Sequence, residues 1–182
     1  MVRLWKLPQR PFIEVSCIMA VVPETAEVRG TEPSLGEIGL SSFVPYLMNR
    51  IASCWNMEIQ DSLRKQNLNT VRMRALAVLT IKNGLSIKEL IHLTVIEQST
   101  LSRALDAMEK SALIERVESQ EDRRVRTIYI TDKGRDAFMS VWPDMFREYE
   151  GMFAGIDEAE RAALIQTLHK ILKNLGVRAP GT

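Results

Sequence analysis

The feature that most constrains this fold is a three- and four-residue spacing of apolar side chains from Glu37 onward. The spacing is interrupted once, between Leu113 and Ile130. Such spacing is typical of amphipathic helices, each of which must bury one face. Between Leu113 and Ile130, two short apolar runs flank the polar segment 120–124, and the second run is rich in β-branched and aromatic residues. This pattern predicts a β-hairpin, so the fold is expected to be mainly α with one small hairpin.

Capping residues indicate where several helices begin and end. Ser86 and Asp157 are each followed three residues later by a glutamate, Glu89 and Glu160, which is the sequence of a capping box. Gly84 is expected to end the helix before it in the left-handed conformation. The predicted helices cover 37–67, 70–82, 86–93 and 97–110, then a helix that begins after Thr131 and a last helix that ends at Gly176.

Residues 1–36 are predicted to form an extended N-terminal extension, because four of the seven prolines fall there and proline disfavours helices. The apolar stretch 15–22 follows several basic residues and superficially resembles a signal peptide. It is only eight residues long, directly follows Glu14 and lacks a clear cleavage site. The prediction is a cytoplasmic protein without a membrane span.

Composition excludes several classes of protein. An apolar content of 46% is enough to bury a core, which excludes global disorder. Two cysteines and two histidines are too few for a disulfide scaffold and offer no cluster of metal ligands. The chain has no nucleophile elbow, phosphate-binding loop or metalloprotease motif. It is therefore predicted to be neither an enzyme nor a metal-binding protein, and to need no cofactor.

The three predicted helices before the hairpin, together with the hairpin, predict a winged helix-turn-helix domain over 68–135. In such a domain the last helix enters the major groove and the hairpin lies beside it on the DNA. The net charge of the chain is only +1, but residues 68–135 carry 12 basic and 9 acidic groups. The candidate DNA-binding residues are Gln98, Ser99, Thr100 and Arg103 in the helix, and Arg123, Arg124 and Arg126 in the hairpin.

The helices on either side of this domain, over 37–67 and 136–182, are amphipathic and too apolar for a small winged domain to bury alone. A twofold partner would bury them and would place the two winged domains about one DNA helical turn, ~34 Å, apart. The sequence therefore predicts a helical dimerisation region and a homodimer bound to double-stranded DNA. The alternative is a winged-helix module that binds proteins and no specific DNA site.

Six segments carry a resemblance to a known family. They are ALAVL at 75–79, GLS at 84–86, TLSRA at 100–104, LIER at 113–116, EDRR at 121–124 and ITDKG at 130–134. With these segments, residues 43–176 resemble the MarR family of bacterial transcriptional regulators. The resemblance implies a homodimeric regulator whose first and last helices intertwine and whose recognition helices enter successive major grooves of a near-palindromic operator. It also implies that Arg123 contacts the minor groove.

The same resemblance implies a repressor that a small, often aromatic, molecule releases from DNA. The candidate ligand-binding residues are Met48, Trp55, Met73, Arg74 and His92, where an arginine beside apolar side chains suits an aromatic carboxylate. An alternative is a redox-sensing regulator that acts through Cys54. Its position on the apolar stripe of the first helix predicts a buried thiol, and buried thiols are usually inert.

Overall fold

The computed structural model describes residues 32–118 and 126–177, and this part of the chain confirms a mainly α fold with a small antiparallel sheet. No helix of the described part is both long and apolar enough to cross a membrane. The helices are α1 Leu35–Ile38, α2 Val44–Glu58, α3 Gln60–Lys65, α4 Thr70–Ile81, α5 Ile87–Thr94, α6 Gln98–Lys110, α7 Asp132–Met152 and α8 Glu158–Asn174. The strands are β1 Leu85–Ser86, β2 Ile114–Glu118 and β3 Arg126–Ile130.

The predicted single helix over 37–67 is wrong, because the chain forms α1, α2 and α3 in that region. Gly39 ends α1 with a φ of 74°, a conformation that glycine adopts without steric cost. Pro45 lies in the first turn of α2, where its missing N–H group is tolerated. The second break is milder, since buried Ile59 keeps helical dihedral angles between α2 and α3.

The predicted capping boxes are confirmed. Ser86 and Asp157 each accept a hydrogen bond from the backbone N–H three residues later, and the glutamate at that position bonds back to the cap. Thr131 caps α7 by accepting from the Gly134 N–H at 3.0 Å. These bonds satisfy amide groups that have no partner within their own helix.

Gly84 has a different role from the one expected. The C-cap of α4 is Lys82, and Gly84, at φ 73°, turns the chain into β1. Sequence analysis does not predict β1, whose two residues pair antiparallel with Thr127 and Ile128 of β3. The strand order is therefore β1-β3-β2, and the hairpin is joined directly to the segment that precedes α5.

The core lies among α3 to α7 and the sheet. Its fully buried side chains include Leu76 and Leu79 of α4, Leu90 of α5 and Ile128 of β3. By contrast, α1, α2 and α8 contain no buried residue. The helices nearest the two ends of the described chain therefore leave their apolar faces largely uncovered.

Gly134→Ala is expected to lower the free energy of unfolding by about 1–3 kcal/mol, the usual cost of overpacking a core. A Cβ atom at this buried position would collide with the Leu113 carbonyl oxygen, which is backbone and cannot swing away. Gly151→Ala is the matched control, because it lies in the same helix and its Cβ would meet no heavy atom within 4 Å. The Gly151→Ala control should raise the free energy of unfolding by at most about 1 kcal/mol. Equal losses for both variants in urea unfolding would contradict this packing.

Candidate nucleic-acid interface

Helix α6 buries one side and presents the other to solvent. Leu101, Leu105 and Met108 are 0% exposed and anchor the helix in the core. On the opposite side, Gln98, Ser99 and Arg103 are exposed, and Thr100 is half-buried. The four predicted contact residues of the helix thus lie in its N-terminal half, and the anchored side fixes their orientation.

The N-terminus of α6 is capped by a carboxylate. Glu97 accepts hydrogen bonds from the backbone N–H groups of Ser99 at 2.9 Å and Thr100 at 3.0 Å, and also from the Ser99 hydroxyl. The Ser99 hydroxyl bond, followed by the two amide bonds, lowers the pKa of Glu97 to about 2. Its ionised form therefore stabilises the fold above the ordinary pKa of 4.5, and this contribution is lost as the pH falls towards 2.

This cap limits what the backbone at the start of α6 can bind. A helix N-terminus normally attracts phosphate through its unpaired amides. In α6 two of these amides already bind the Glu97 carboxylate. Contacts from α6 to an anionic partner must therefore come from side chains, above all from the one basic side chain in its N-terminal half, Arg103.

Arg103 is held against its own helix. Its Nε donates to the Ser99 carbonyl oxygen at 3.2 Å and its Nη2 to the Ser99 hydroxyl at 3.4 Å. Arg103 and Arg72 of α4 line the same shallow depression, together with Asn69 and Thr100. The guanidinium of Arg72 donates to the Asn67 carbonyl oxygen at 3.1 Å. Arg72 is not among the DNA-binding candidates predicted from the sequence, because nothing in the spacing shows that it lies beside Arg103.

The hairpin is only partly described. Arg126, the first residue of β3, is exposed and pairs in register with Glu118 of β2. Arg123 and Arg124 lie outside the described residues. Of the three hairpin arginines proposed from the sequence, the structure therefore places one, at the outer end of the strand pair that packs beside α6.

Arg116 of β2 joins the hairpin to α6. Its Nη2 lies 2.7 Å from Asp106 Oδ1 and its Nη1 lies 3.1 Å from Glu109 Oε2, both on the exposed side of α6. The Arg116 side chain is only 13% exposed. The single positive charge of Arg116 offsets one of the two negative charges of Asp106 and Glu109, and Arg103 is the basic side chain of the other half of α6. Sequence analysis assigned Arg116 no role, because nothing in the spacing shows that it faces α6.

The five candidate ligand-binding residues differ in burial. Met73 is buried in the core and Trp55 packs partly buried against it. Arg74 is half-buried, whereas Met48 and His92 are exposed. The described part of the chain contains no group of three or more histidine, cysteine, aspartate or glutamate side chains that could hold a metal ion.

A cavity of about 670 Å³ lies elsewhere, between α2 and the α7–α8 junction. We call it the terminal groove. None of the five candidates is among the described residues that line it, which are Leu40, Ser41, Tyr46, Leu47, Arg50, Ile51, Cys54, Met152, Phe153, Ile156 and Leu164. Because Cys54 is exposed in this wall, the predicted burial of its thiol is wrong for the single chain.

Comparison with known proteins shows relatives in both sequence and fold. Residues 66–125 match the sequence profile of the MarR family. The crystal structure of a MarR-family transcriptional regulator from Silicibacter pomeroyi is 40% identical, with a TM-score of 0.74, and the match covers 82% of this chain and 100% of that one. The HTH-type transcriptional repressor IacR of Pseudomonas putida is 24% identical over 144 residues, which are 79% of this chain and 86% of IacR.

A more distant solved structure shares the fold alone. BpsR of Bordetella bronchiseptica, whose DNA binding is regulated by 6-hydroxynicotinic acid, is 22% identical with a TM-score of 0.63. The match covers 70% of this chain and 97% of BpsR. The likeness to the Silicibacter protein, by contrast, extends to the sequence over that protein's whole length.

Arg116→Gln is expected to lower the free energy of unfolding by about 1 kcal/mol, because it removes two partly exposed ion pairs together. Arg64→Gln is the matched control, since Arg64 forms a single exposed pair with Asp61 at 3.4 Å. That variant should change stability by no more than a few tenths of a kcal/mol, roughly the value of an i,i+3 surface pair. Urea unfolding at low salt measures both, and equal effects would show that Arg116 does not hold the hairpin to α6.

Proposed function

This chain belongs to the MarR family of transcriptional regulators, and we propose that it acts as a homodimeric, ligand-responsive repressor on a near-palindromic DNA site. The observation that carries the proposal is that α6 has one buried side and one exposed, polar side. One side is locked in the core, while Gln98, Ser99 and Arg103 project from the other side beside the hairpin. IacR is a transcriptional repressor and the DNA binding of BpsR is regulated by 6-hydroxynicotinic acid, and both relatives support the proposal.

On this proposal, α6 lies in the major groove. Its N-terminal residues Gln98, Ser99, Thr100 and Arg103 contact base edges and nearby phosphates, since the major groove presents a distinct pattern of donors and acceptors for each base pair. Arg103 would exchange its bonds to Ser99 for a guanine edge or a phosphate. The C-terminal half of α6 contributes little, because Arg116 already binds its carboxylates.

The hairpin arginines contact the DNA backbone and the adjacent minor groove. Arg126 is exposed at the start of β3 and is assigned a phosphate contact. Arg123 and Arg124 are assigned to the hairpin end, with Arg123 in the minor groove as the family resemblance implies. These assignments make 68–135 the DNA-binding domain.

The regions 37–67 and 136–182 are proposed to form the dimer interface. Five apolar residues in the described parts of these regions are buried, namely Ile59, Leu63, Phe138, Val141 and Met145, but many other apolar side chains there are exposed. Trp142 and Phe146 of α7, for example, are exposed and stack with ring centroids 5.9 Å apart. A second copy would remove these surfaces from water, and exposed apolar area of this kind commonly marks an interface.

The effector is proposed to be a small aromatic acid bound between the dimer helices and the DNA-binding domain. Trp55 and Arg74 are both half-buried, so a ligand can reach them at the edge of the core. Arg74 would bind the carboxylate and Trp55 the ring. Met48 and His92 would close the site from its exposed side, and Met73 would form its floor.

Binding of duplex DNA from the region upstream of the chain's own gene tests the DNA-binding proposal. Arg103→Ala and Arg123→Ala should each weaken binding by about 5- to 150-fold, the equivalent of 1–3 kcal/mol for an arginine contact. The control is Arg64→Ala on α3, an exposed arginine outside the proposed DNA-binding domain, with gel filtration to check that this variant assembles as the wild-type chain does. Fluorescence anisotropy at several salt concentrations measures each affinity and its salt dependence.

Specific binding that survives both Arg103→Ala and Arg123→Ala would contradict the site assignment. Binding that shows no preference for any sequence, in the wild-type chain as in the variants, would instead favour the alternative of a winged-helix module for protein partners. Circular dichroism of each variant keeps the test independent of folding.

A further inference from the structure

The shallow depression between the start of α4 and one side of α6 is lined by two arginines. Its volume is about 260 Å³, and the described residues that line it are Asn69, Val71, Arg72, Thr100, Arg103, Ala104 and Ala107. None of these residues carries a carboxylate. Pockets that enclose a small molecule usually measure roughly 300–1,000 Å³ and bury most of it. A small, shallow, basic depression better suits an anionic group that belongs to a larger surface.

Arg72 reaches this depression from the first turn of α4. Its Nη1 donates to the Asn67 carbonyl oxygen, in the turn between α3 and α4, at 3.1 Å. Among the described residues, neither Arg72 nor Arg103 forms an ion pair with a carboxylate, whereas Arg116 and Arg161 do. A carbonyl oxygen is neutral, so the positive charge of Arg72 is left for an anionic partner.

The depression borders α6 on a side away from the hairpin. At about 100° of rotation per residue, Thr100, Arg103 and Ala107 lie within about 60° of one another around the helix axis. The two carboxylates that Arg116 of β2 binds lie roughly 90–150° from the middle of that group. A helix in the major groove runs between two sugar–phosphate strands, so elements on its two sides face different walls of the groove. The depression therefore faces a wall that the hairpin does not.

We propose that the depression binds a backbone phosphate of the DNA, with Arg72 as the residue that holds it. The guanidinium donates to two phosphate oxygens, and the Thr100 hydroxyl and Arg103 border the same site. The inference rests on the proposed function, because it takes α6 in the major groove as its starting point, and it adds a contact from α4. Phosphate contacts fix orientation and carry no sequence information, so Arg72 contributes to affinity and register rather than to the choice of sequence.

A purely structural role is the rival explanation for Arg72. In that role the side chain only holds the turn between α3 and α4 through its bond to the Asn67 carbonyl oxygen. The two roles differ in their dependence on salt. A residue that neutralises a phosphate releases counterions from the DNA, so its loss changes the slope of log K against log salt concentration. The loss of a bond to a neutral carbonyl does not change that slope.

The salt dependence of DNA binding by the full-length chain is the first test. Fluorescence anisotropy is measured with a duplex from upstream of the chain's own gene and with a scrambled duplex of equal length. Arg72→Gln should weaken both complexes by about fivefold for each bound protomer, the upper value for a charge pair at a surface. The salt slope should fall by about 0.9 for each protomer.

Two further variants show whether charge is the cause. Arg72→Lys should restore the salt slope, because lysine binds phosphate as a point charge. Arg64→Gln on α3 is the matched control, since it removes an exposed guanidinium that already pairs with Asp61. This variant should keep the wild-type affinity and slope, with gel filtration to check its assembly. A wild-type slope in Arg72→Gln, or a slope in Arg72→Lys that stays as low as in Arg72→Gln, would overturn the proposal.

Neutral methylphosphonates in the upstream duplex then locate the contact. Symmetric pairs of phosphates are replaced one pair at a time. At one pair, the replacement should weaken binding of the wild-type chain about as much as Arg72→Gln does, and should weaken binding of that variant no further. Both changes remove the same contact, so their effects cannot add. Additive losses at every pair of phosphates would overturn the proposal.

The outcomes separate this inference from the proposed function. If the wild-type chain binds the upstream duplex specifically and Arg72→Gln binds it equally well, only the phosphate site is wrong. If the wild-type chain binds no duplex, both are wrong. If millimolar inorganic phosphate raises the Tm of the wild-type chain but not of Arg72→Gln, while the two bind DNA equally, the site takes a free anion and the proposal is again overturned.

Discussion

The burial of a single stripe of α6 is the constraint on which the rest of the candidate interface depends. Leu101, Leu105 and Met108 are completely buried, and burying such side chains contributes about 1.5–3 kcal/mol each. Because these three positions recur every three or four residues, the orientation of the opposite side of the helix is set as well. The exposed row of Gln98, Ser99 and Arg103 is therefore presented by a rigid support rather than by a loop, as recognition of base edges requires.

Two carboxylate arrangements then shape the charge of that exposed side. Glu97 occupies the amides at the N-terminus of α6, and Arg116 binds Asp106 and Glu109 in its C-terminal half. The positive charge that remains is concentrated at Arg103, with Arg72 beside it across a shallow depression. A chain with a net charge of only +1 can thus place two arginines side by side on one surface, while Arg116 binds two of the carboxylates of α6.

The sequence predicts those features that local rules control. Ser86–Glu89 and Asp157–Glu160 are confirmed as capping boxes, since such a cap needs only residues three apart, and the hairpin and α4 to α6 follow from periodicity. Features that depend on distant contacts were missed. The strand β1 has only two residues and exists because it pairs with β3. The role of Arg116 depends on Glu109 and Asp106, which lie seven and ten residues before it in the chain. Cys54 is likewise exposed because no other described element covers its side of α2. The helical spacing of apolar residues does not show this.

Selection of duplexes from a random-sequence DNA library by the full-length chain tests the central claim most directly. If a homodimer presents two copies of α6 to one face of the DNA, the enriched duplexes will contain two inverted half-sites with centres about 10 bp, one helical turn, apart. Lengthening the spacing by half a turn should then abolish binding, because it places the second half-site on the opposite face. Enrichment of no motif, or of a single half-site indifferent to spacing, would contradict the account.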